Sequence, residues 1–439
     1  MKKSNLDQLF PETYSAPTHL AKSFSKISSL KKGGRILVLL GVLFVISCDN
    51  EDQNPAPPVN EPDPTGTIVV KINTVGKDDD PNGYNLIVEG SANRQVGPRE
   101  EVTISNKKVG RYSIELSGIS NHCTGTGNMV REVNVTTNGT ATVEFEVDCK
   151  AILRDRIAYS KGTVNFTDFK FYSSKLDGTD EKVILDKVIL PFRMAISPDG
   201  TKIAFSDRLE GTTIQQIYIM DVDGENLEMI PFEPNENPAF TSQFLPVWHP
   251  DGKKLTFRNA ARTVTYDMET GQRTVIEFDP GEIFVASQVI ENGSKFLGTF
   301  LISRPGEPVE QKIASINLDG SGLKYLKEGS NLSFTTPLLQ GNKLTYIQRE
   351  NVPGVGTEVW QMNSDGTEDQ KINNSLGFSV SEVITSFSVS PDGSEYIFAV
   401  SIDLNNYLAK SKLNGTPQAI TFNSTGVRSN PVWSPITRD

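Results

Sequence analysis

Between Lys150 and the C-terminus, apolar and polar positions alternate in short runs, the period of two that belongs to strands with one buried face. The stretch Met194 to Asp223, MAISPDGTKIAFSDRLEGTTIQQIYIMDVD, shows the unit. It reads as an inner strand, a Pro-Asp-Gly turn, an alternating strand over Lys202–Ser206, a polar loop, and another over Ile217–Asp221 that enters an Asp-Gly turn. One series of turns follows the inner strand: SPDG at Ser197–Gly200 and Ser390–Gly393, HPDG at His249–Gly252, then Glu291–Gly293 and Gln340–Asn342. The other contains Gly178, Gly224, Gly271, Gly320, Gly366 and Gly415, separated by 46, 47, 49, 46 and 49 residues. Gly takes the positive φ that closes a hairpin, Asp bonds the turn backbone, and Pro presets the entering φ. A period in the forties with four short strands per unit predicts a β-propeller, and six copies of the second turn predict six blades. The first unit, Ile157 to Leu185, lacks an inner strand. Asn430–Pro435 (NPVWSP) matches Leu245–Pro250 (LPVWHP) and is expected to supply it, closing the ring against the first blade and removing open sheet edges.

Upstream, alternating segments at Ile68–Ile72, Tyr84–Val88, Val102–Ser105, Tyr112–Leu116, Glu132–Val135 and Ala141–Val147 predict a β-sandwich. The expected fold class is all-β: a small β-sandwich over residues 67–149, then a six-bladed β-propeller over 150–439. The turns resemble the WD-like, Pro-Asp-containing repeats of TolB-like propellers over about Ala151–Asp439, best in the second, third and sixth units and least in the fourth. The resemblance implies a propeller of the cell envelope that binds partners and has no catalytic activity of its own. TolB proteins are soluble in the periplasm and begin with a domain of another fold, so their partners do not transfer. Related propellers in serine peptidases precede a hydrolase domain, whereas this chain is expected to end at its closing strand.

The run Ile36–Ile46 (ILVLLGVLFVI) is continuously apolar, but a spanning helix needs roughly 20 such residues. Lys31, Lys32 and Arg35 precede it and Ser47–Cys48 follow, the layout of a secretory signal. Val45-Ile46-Ser47-Cys48 resembles the bacterial lipobox, which implies a lipoprotein signal peptide over residues 1–47 and acylation of Cys48. The polar stretch Met1–Leu30 is unlike a signal start and places the expected initiation site downstream. Residues 48–66 are acidic and Pro-rich with almost nothing to bury, a disordered tether. Acidic residues after the Cys resemble the signals of surface lipoproteins in some Gram-negative bacteria. The expected location is the outer membrane, facing the periplasm or the cell surface.

Net charge is −11, and residues 1–47 carry seven Lys or Arg against two Asp or Glu. The remaining chain therefore has 36 basic and 52 acidic residues, a net of −16, which argues against nucleic acid and against membrane contact other than through the lipid anchor. With Cys48 acylated, Cys123 and Cys149 form an even pair in an oxidising compartment; a bridge there would contribute about 3 kcal/mol. A monomer without cofactor is expected.

Asp78, Asp80, Asn82, Gly83 and Glu89 match the EF-hand calcium-loop spacing. Strands flank the loop where helices are required, and Pro81 stiffens its middle, so an acidic hairpin turn is the expected reading and calcium the lesser one. His19, His122 and His249 are too scattered for a zinc site or a triad, and no G-x-S-x-G, H-E-x-x-H or Walker loop occurs. Trp248 and Trp433 occupy equivalent inner-strand positions and Trp360 a third strand, expected to pack blades rather than stack sugars. The SPDG turns lack the spacing of the sialidase Asp-box. One feature is not demanded by the fold. Near the exit of the second strand five units carry a base, Lys161, Arg208, Arg258, Arg304 and Arg349; the sixth has Asp403. Such a rim, opposite the Asp-Gly turns, would capture carboxylate or phosphate groups, unless neighbours such as Glu210, Glu307 and Glu350 neutralise it. The expected function is a lipid-anchored envelope binding or scaffold protein whose propeller presents a loop-lined face to a protein or glycan partner. The alternative is a propeller hydrolase or lyase acting on extracellular polysaccharide.

Replacing Cys48 with Ala should move the protein from the membrane to the soluble fraction of lysed cells. Continued membrane association would contradict the lipobox reading.

Overall fold

Among the described residues eight strands precede the repeats: β1 (Thr65–Gly76), β2 (Tyr84–Val88), β3 (Arg94–Val96), β4 (Glu101–Lys108), β5 (Gly110–Ser117), β6 (Cys123–Gly125), β7 (Val130–Val135) and β8 (Thr140–Cys149). The computed structural model describes residues 63–190, 193–233, 242–329, 331–350, 357–373, 377, 383–402 and 405–436. Cys48, residues 49–62 of the expected tether and Asp403 lie outside them, whereas Thr65 and Gly66, expected in the tether, already belong to β1 because they pair with β4. Two sheets form, β4-β1-β8-β6 and β3-β2-β5-β7, with β1 and β8 paired in parallel at the centre of the first. Alternation decides the packing: Ile68, Val70, Phe145 and Val147 of one sheet meet Tyr84, Leu86, Ile114 and Leu116 of the other in one core. The fully buried Tyr84 satisfies its hydroxyl on Thr74, 2.7 Å away. Cys123 and Cys149, opposed across β6 and β8, form the expected disulfide.

The repeats supply β9 (Arg156–Gly162), β10 (Lys170–Lys175) and β11 (Lys182–Leu185); β12 (Ala195–Ile196), β13 (Lys202–Arg208), β14 (Gln215–Asp221) and β15 (Glu228–Met229). They continue with β16 (Gln243–Trp248), β17 (Lys254–Asn259), β18 (Arg262–Asp267) and β19 (Arg273–Ile276); β20 (Glu282–Ile290), β21 (Lys295–Ile302), β22 (Glu310–Asn317) and β23 (Lys324–Lys327). Last come β24 (Leu332–Gln340), β25 (Lys343–Glu350), β26 (Thr357–Asn363) and β27 (Gln370–Lys371); β28 (Val383–Val389), β29 (Tyr396–Ile402), β30 (Asn405–Ser411) and β31 (Gln418–Ala419); and β32 (Val427–Trp433). Among the described residues these make six four-stranded antiparallel sheets. Five follow chain order. In the sixth, β11-β10-β9-β32, the last strand lies along β9 from Val427↔Gly162 to Trp433↔Ile157.

The turns behave as their residue types require. Asp199, Asp223, Asp251 and Asp392 each accept from the N–H two residues on, at 2.9 to 3.2 Å. Gly224 has φ +87, and a Cβ there would stand 2.0 Å from the Ile184 carbonyl oxygen. In the last unit Asn414, φ +60, takes the left-handed position instead of Gly415. The inner strands also carry bulges that no periodicity shows. Two residues oppose one between Phe244 and Val247, Thr335 and Leu338, and Ser429 and Val432. The second of each pair is Pro (Pro246, Pro337, Pro431), which has no N–H to leave unpaired, and the first has φ between +50 and +55.

Neighbouring sheets share cores, such as Phe171 with Ile203, Phe205 and Met220. Ile157, Tyr159 and Trp433 of the first repeat sheet pack with Ile397, Ala399 and Leu408 of the last. A charged knot covers that seam. Glu181, in the turn before β11, accepts from the Tyr159 hydroxyl (2.6 Å), Lys161 Nζ (2.7 Å), Arg428 Nη2 (2.8 Å) and Ser424 Oγ. The Arg428 guanidinium lies 3.7 Å from the Phe422 ring centre. Burial alone would raise the Glu181 carboxyl, but these donors outweigh it and hold the group down to about 2.

Because the folded value lies below the ordinary 4.5, the stabilisation is complete above that pH and lost as pH falls towards 2. Glu181→Gln should lower the unfolding free energy at pH 7 by roughly 2–4 kcal/mol and flatten the acid-side decline. Denaturant titrations across that pH range check this; a pH profile identical to wild type would contradict it.

Candidate functional site

The side of the sheet each rim base occupies follows from strand alternation. Lys161, opposite Arg428 in the ladder, turns into the seam, where it binds Glu181 and lies 4.7 Å from the Tyr172 ring centre. Arg304 is paired with Glu307 (3.6 Å) and Glu310 (3.1 Å). Arg208 and Arg349 stand exposed at the ends of β13 and β25, and no ion pair joins them to Glu210 or Glu350. Arg258 is half-buried, donates from Nε to the Ala260 carbonyl (2.7 Å) and lies 5.8 Å from the Phe244 ring centre; burial lowers its pKa. The five bases therefore divide. Two are neutralised by carboxylates, and three guanidiniums remain without one among the described residues. Arg193 is a base that the sequence reading missed. It lies five residues before Pro198, as Leu245 lies before Pro250 and Asn430 before Pro435, so aligning units on the Pro would have found it. It is partly buried, and burial pushes its guanidinium down to about 10.

The opposite face meets the sandwich. Lys77 reaches Asp223 and Glu225, each at 2.9 Å. The Leu153 amide donates to the Gly200 carbonyl (3.0 Å), and Arg154 bridges to Ile436. Asp78 and Asp80 act in this junction. Asp78 Oδ2 accepts from the Ile152 amide (2.8 Å); the fully buried Asp80 accepts from the amides of Asn82 (3.1 Å) and Ser120 (2.9 Å). Glu89 lies beyond β2 and accepts from the Ser113 amide (3.1 Å). With β2 extended between them, Glu89 stands roughly 15 Å or more along the chain from Asn82, so the four calcium-spaced residues do not close around one point. The single cluster of potential metal ligands among the described residues is His122 with Cys123 and Cys149, and both thiols are in the disulfide.

Among the described residues no reacting constellation assembles around His122 or His249; His19 lies outside them. His122 Nε2 meets the Asp78 carbonyl (3.1 Å) and His249 Nε2 the Thr256 hydroxyl (2.8 Å); burial lowers the His249 pKa. Trp248 and Trp433 are buried in the inter-sheet cores, and Trp248 donates to the Ala195 carbonyl (3.1 Å). Trp360 is partly buried and donates to Glu358 (2.9 Å), with Lys327 5.1 Å from its ring centre. Packing explains all three.

Meandering four-stranded sheets that share face-to-face cores define a β-propeller, TolB-like in its repeats. No family model and no curated protein matches the sequence. Among solved structures, TolB from Acinetobacter baumannii matches with a TM-score of 0.51 and 20% identity, over 65% of this chain and 68% of that one. A TolB-type protein from Agrobacterium tumefaciens matches with a TM-score of 0.38 and 19% identity, over 49% and 79% of the two chains. An oligogalacturonate lyase from Vibrio parahaemolyticus matches with a TM-score of 0.38 and 13% identity, over 65% and 92%. At these identities the likeness is one of fold.

Proposed function

We propose that the chain is a lipid-anchored binding protein of the outer membrane, facing the periplasm or the cell surface. Cys48 is the acylated anchor, the residues from it to Pro64 the tether, β1 to Cys149 a β-sandwich domain and 150–439 a six-bladed propeller closed by β32 on β9. The propeller, as a monomer without cofactor, presents its rim to a protein or glycan partner. The main support is the placement of the sandwich on the turn face, through Lys77 and Asp78. That leaves the rim with Arg208, Arg258 and Arg349 as the open face, three guanidiniums on a body of net charge −16. Guanidinium groups without carboxylates favour an anionic partner and act chiefly on its capture rate. The alternative, a hydrolase or lyase on extracellular polysaccharide, lacks a paired base and nucleophile among the described residues.

Crosslinking in intact cells followed by pull-down should recover an anionic envelope partner. Arg208→Ala combined with Arg349→Ala should weaken its capture roughly five- to tenfold at low salt, with the difference shrinking as salt is added. Arg304→Ala, already neutralised, should have little effect. Equal affinity of the double variant and wild type at every salt concentration would contradict the rim as the contact surface.

A further inference from the structure

The junction between the sandwich and the propeller sheets holds a cleft of about 530 Å³. The loops at Asn82 and at Ser120–His122 form one wall; Arg154, Asp199 and Ile436 form the other. Small-molecule sites recur at such junctions. The walls are held in place. Asp80 ties the Asn82 and Ser120 loops together, and Asp78 fixes the linker at Ile152. His122 is 4% exposed; because the Asp78 carbonyl can only accept, Nε2 carries the proton there and leaves Nδ1 as an acceptor in the neutral ring.

Arg154 has no role in this scaffold beyond its backbone bridge. It is partly buried in an acid-rich chain, yet its guanidinium makes no ion pair or hydrogen bond with any described residue. Asp199 on the same wall makes no ion pair with it; its Oδ1 accepts from Ser197 Oγ (2.6 Å), the Thr201 amide (3.1 Å) and Thr201 Oγ1 (3.0 Å) within the turn. Around Arg154 the cleft offers the exposed amides of Asn82 and Asn121 and the Ser120 hydroxyl, each able to donate and accept, with the aliphatic Ile436 on the propeller side.

We propose that this cleft binds a carboxylate-bearing, hydroxyl-rich small molecule, an acidic sugar unit of the hexuronate class. Arg154 takes the carboxylate through two parallel N–H donors, a geometry that ammonium groups cannot supply. Asn82, Asn121 and Ser120 take ring hydroxyls, and Ile436 meets the C–H face of the ring. The site is separate from the rim, so it stands or falls independently of partner capture there.

The test is calorimetric titration of the full chain in detergent with D-glucuronate and D-galacturonate, and with D-glucose and acetate as controls. At least one uronate should bind saturably with a dissociation constant of about 1 mM or below, and both controls at least tenfold more weakly. Arg154→Gln should weaken uronate binding tenfold or more without moving the thermal midpoint, and Asn121→Ala, on an exposed loop, should weaken it a few-fold. Absence of saturable uronate binding up to about 20 mM, equal binding of acetate or glucose, or undiminished binding by Arg154→Gln and Asn121→Ala would overturn the proposal.

Discussion

The backbone ladder between β32 and β9 is the constraint on which the repeat sheets depend. Without it the first repeat sheet would have three strands, and the inner edge of β9 would present unpaired N–H and C=O groups. Joining strands so far apart in sequence is entropically tolerable, because each doubling of a closed loop adds only about 0.6 kcal/mol. The chain crosses from the last repeat sheet to the first through residues 420–426, but no turn joins β32 to β9, so the backbone ladder and side chains hold those two strands together. Trp433 and Tyr159 fill the shared core, the Trp433 amide donates to Ser388 Oγ of the last repeat sheet (2.9 Å), and Glu181 gathers its donors above them. A smaller version of the knot occurs in the fifth unit. Tyr346, like Tyr159 opposite an inner-strand bulge, donates to Asp369 (2.5 Å), which is paired with Lys327 of the preceding sheet (2.5 Å). The seam therefore strengthens a device already present in the repeat, adding Arg428 and Ser424 where no turn joins β32 to β9.

The sandwich adds a second constraint with functional consequences. Its loop from Lys77 to Asp80 looks like ligand chemistry in sequence, but its charges meet Asp223, Glu225 and backbone amides of the junction. With the sandwich on the turn face, no described sandwich residue is paired with the rim bases, and the junction holds the cleft at Arg154. One docking contact thus shapes both surfaces offered here for recognition.

Much of this was legible in the residues, where a local physical demand selects the residue type. Alternation marked most strands, and the Gly and Asp turns marked the repeat, because positive φ and Asx bonding admit few residues. NPVWSP announced the strand that lies on β9. The three-residue strands β3 and β6 were not legible, since three residues cannot display a period. Arg193 was hidden for a related reason, because β12 beside it has two residues and displays no period. The calcium-like spacing does not close around a point because a strand intervenes before Glu89, and Lys161 of the basic series turns into the seam beside Glu181. The partner left no trace in periodicity, since recognition loops answer to a partner and not to a core.

β32 pairs with β9 as an integral strand of the first repeat sheet and not as a docked terminus. Amide hydrogen exchange read strand by strand tests this most directly. Closure predicts that the ladder amides of β32 and β9 exchange only through global unfolding, as slowly as those of β13 and β14. Exchange of β32 at the rate of a frayed end, while β13 and β14 remain protected, would contradict it.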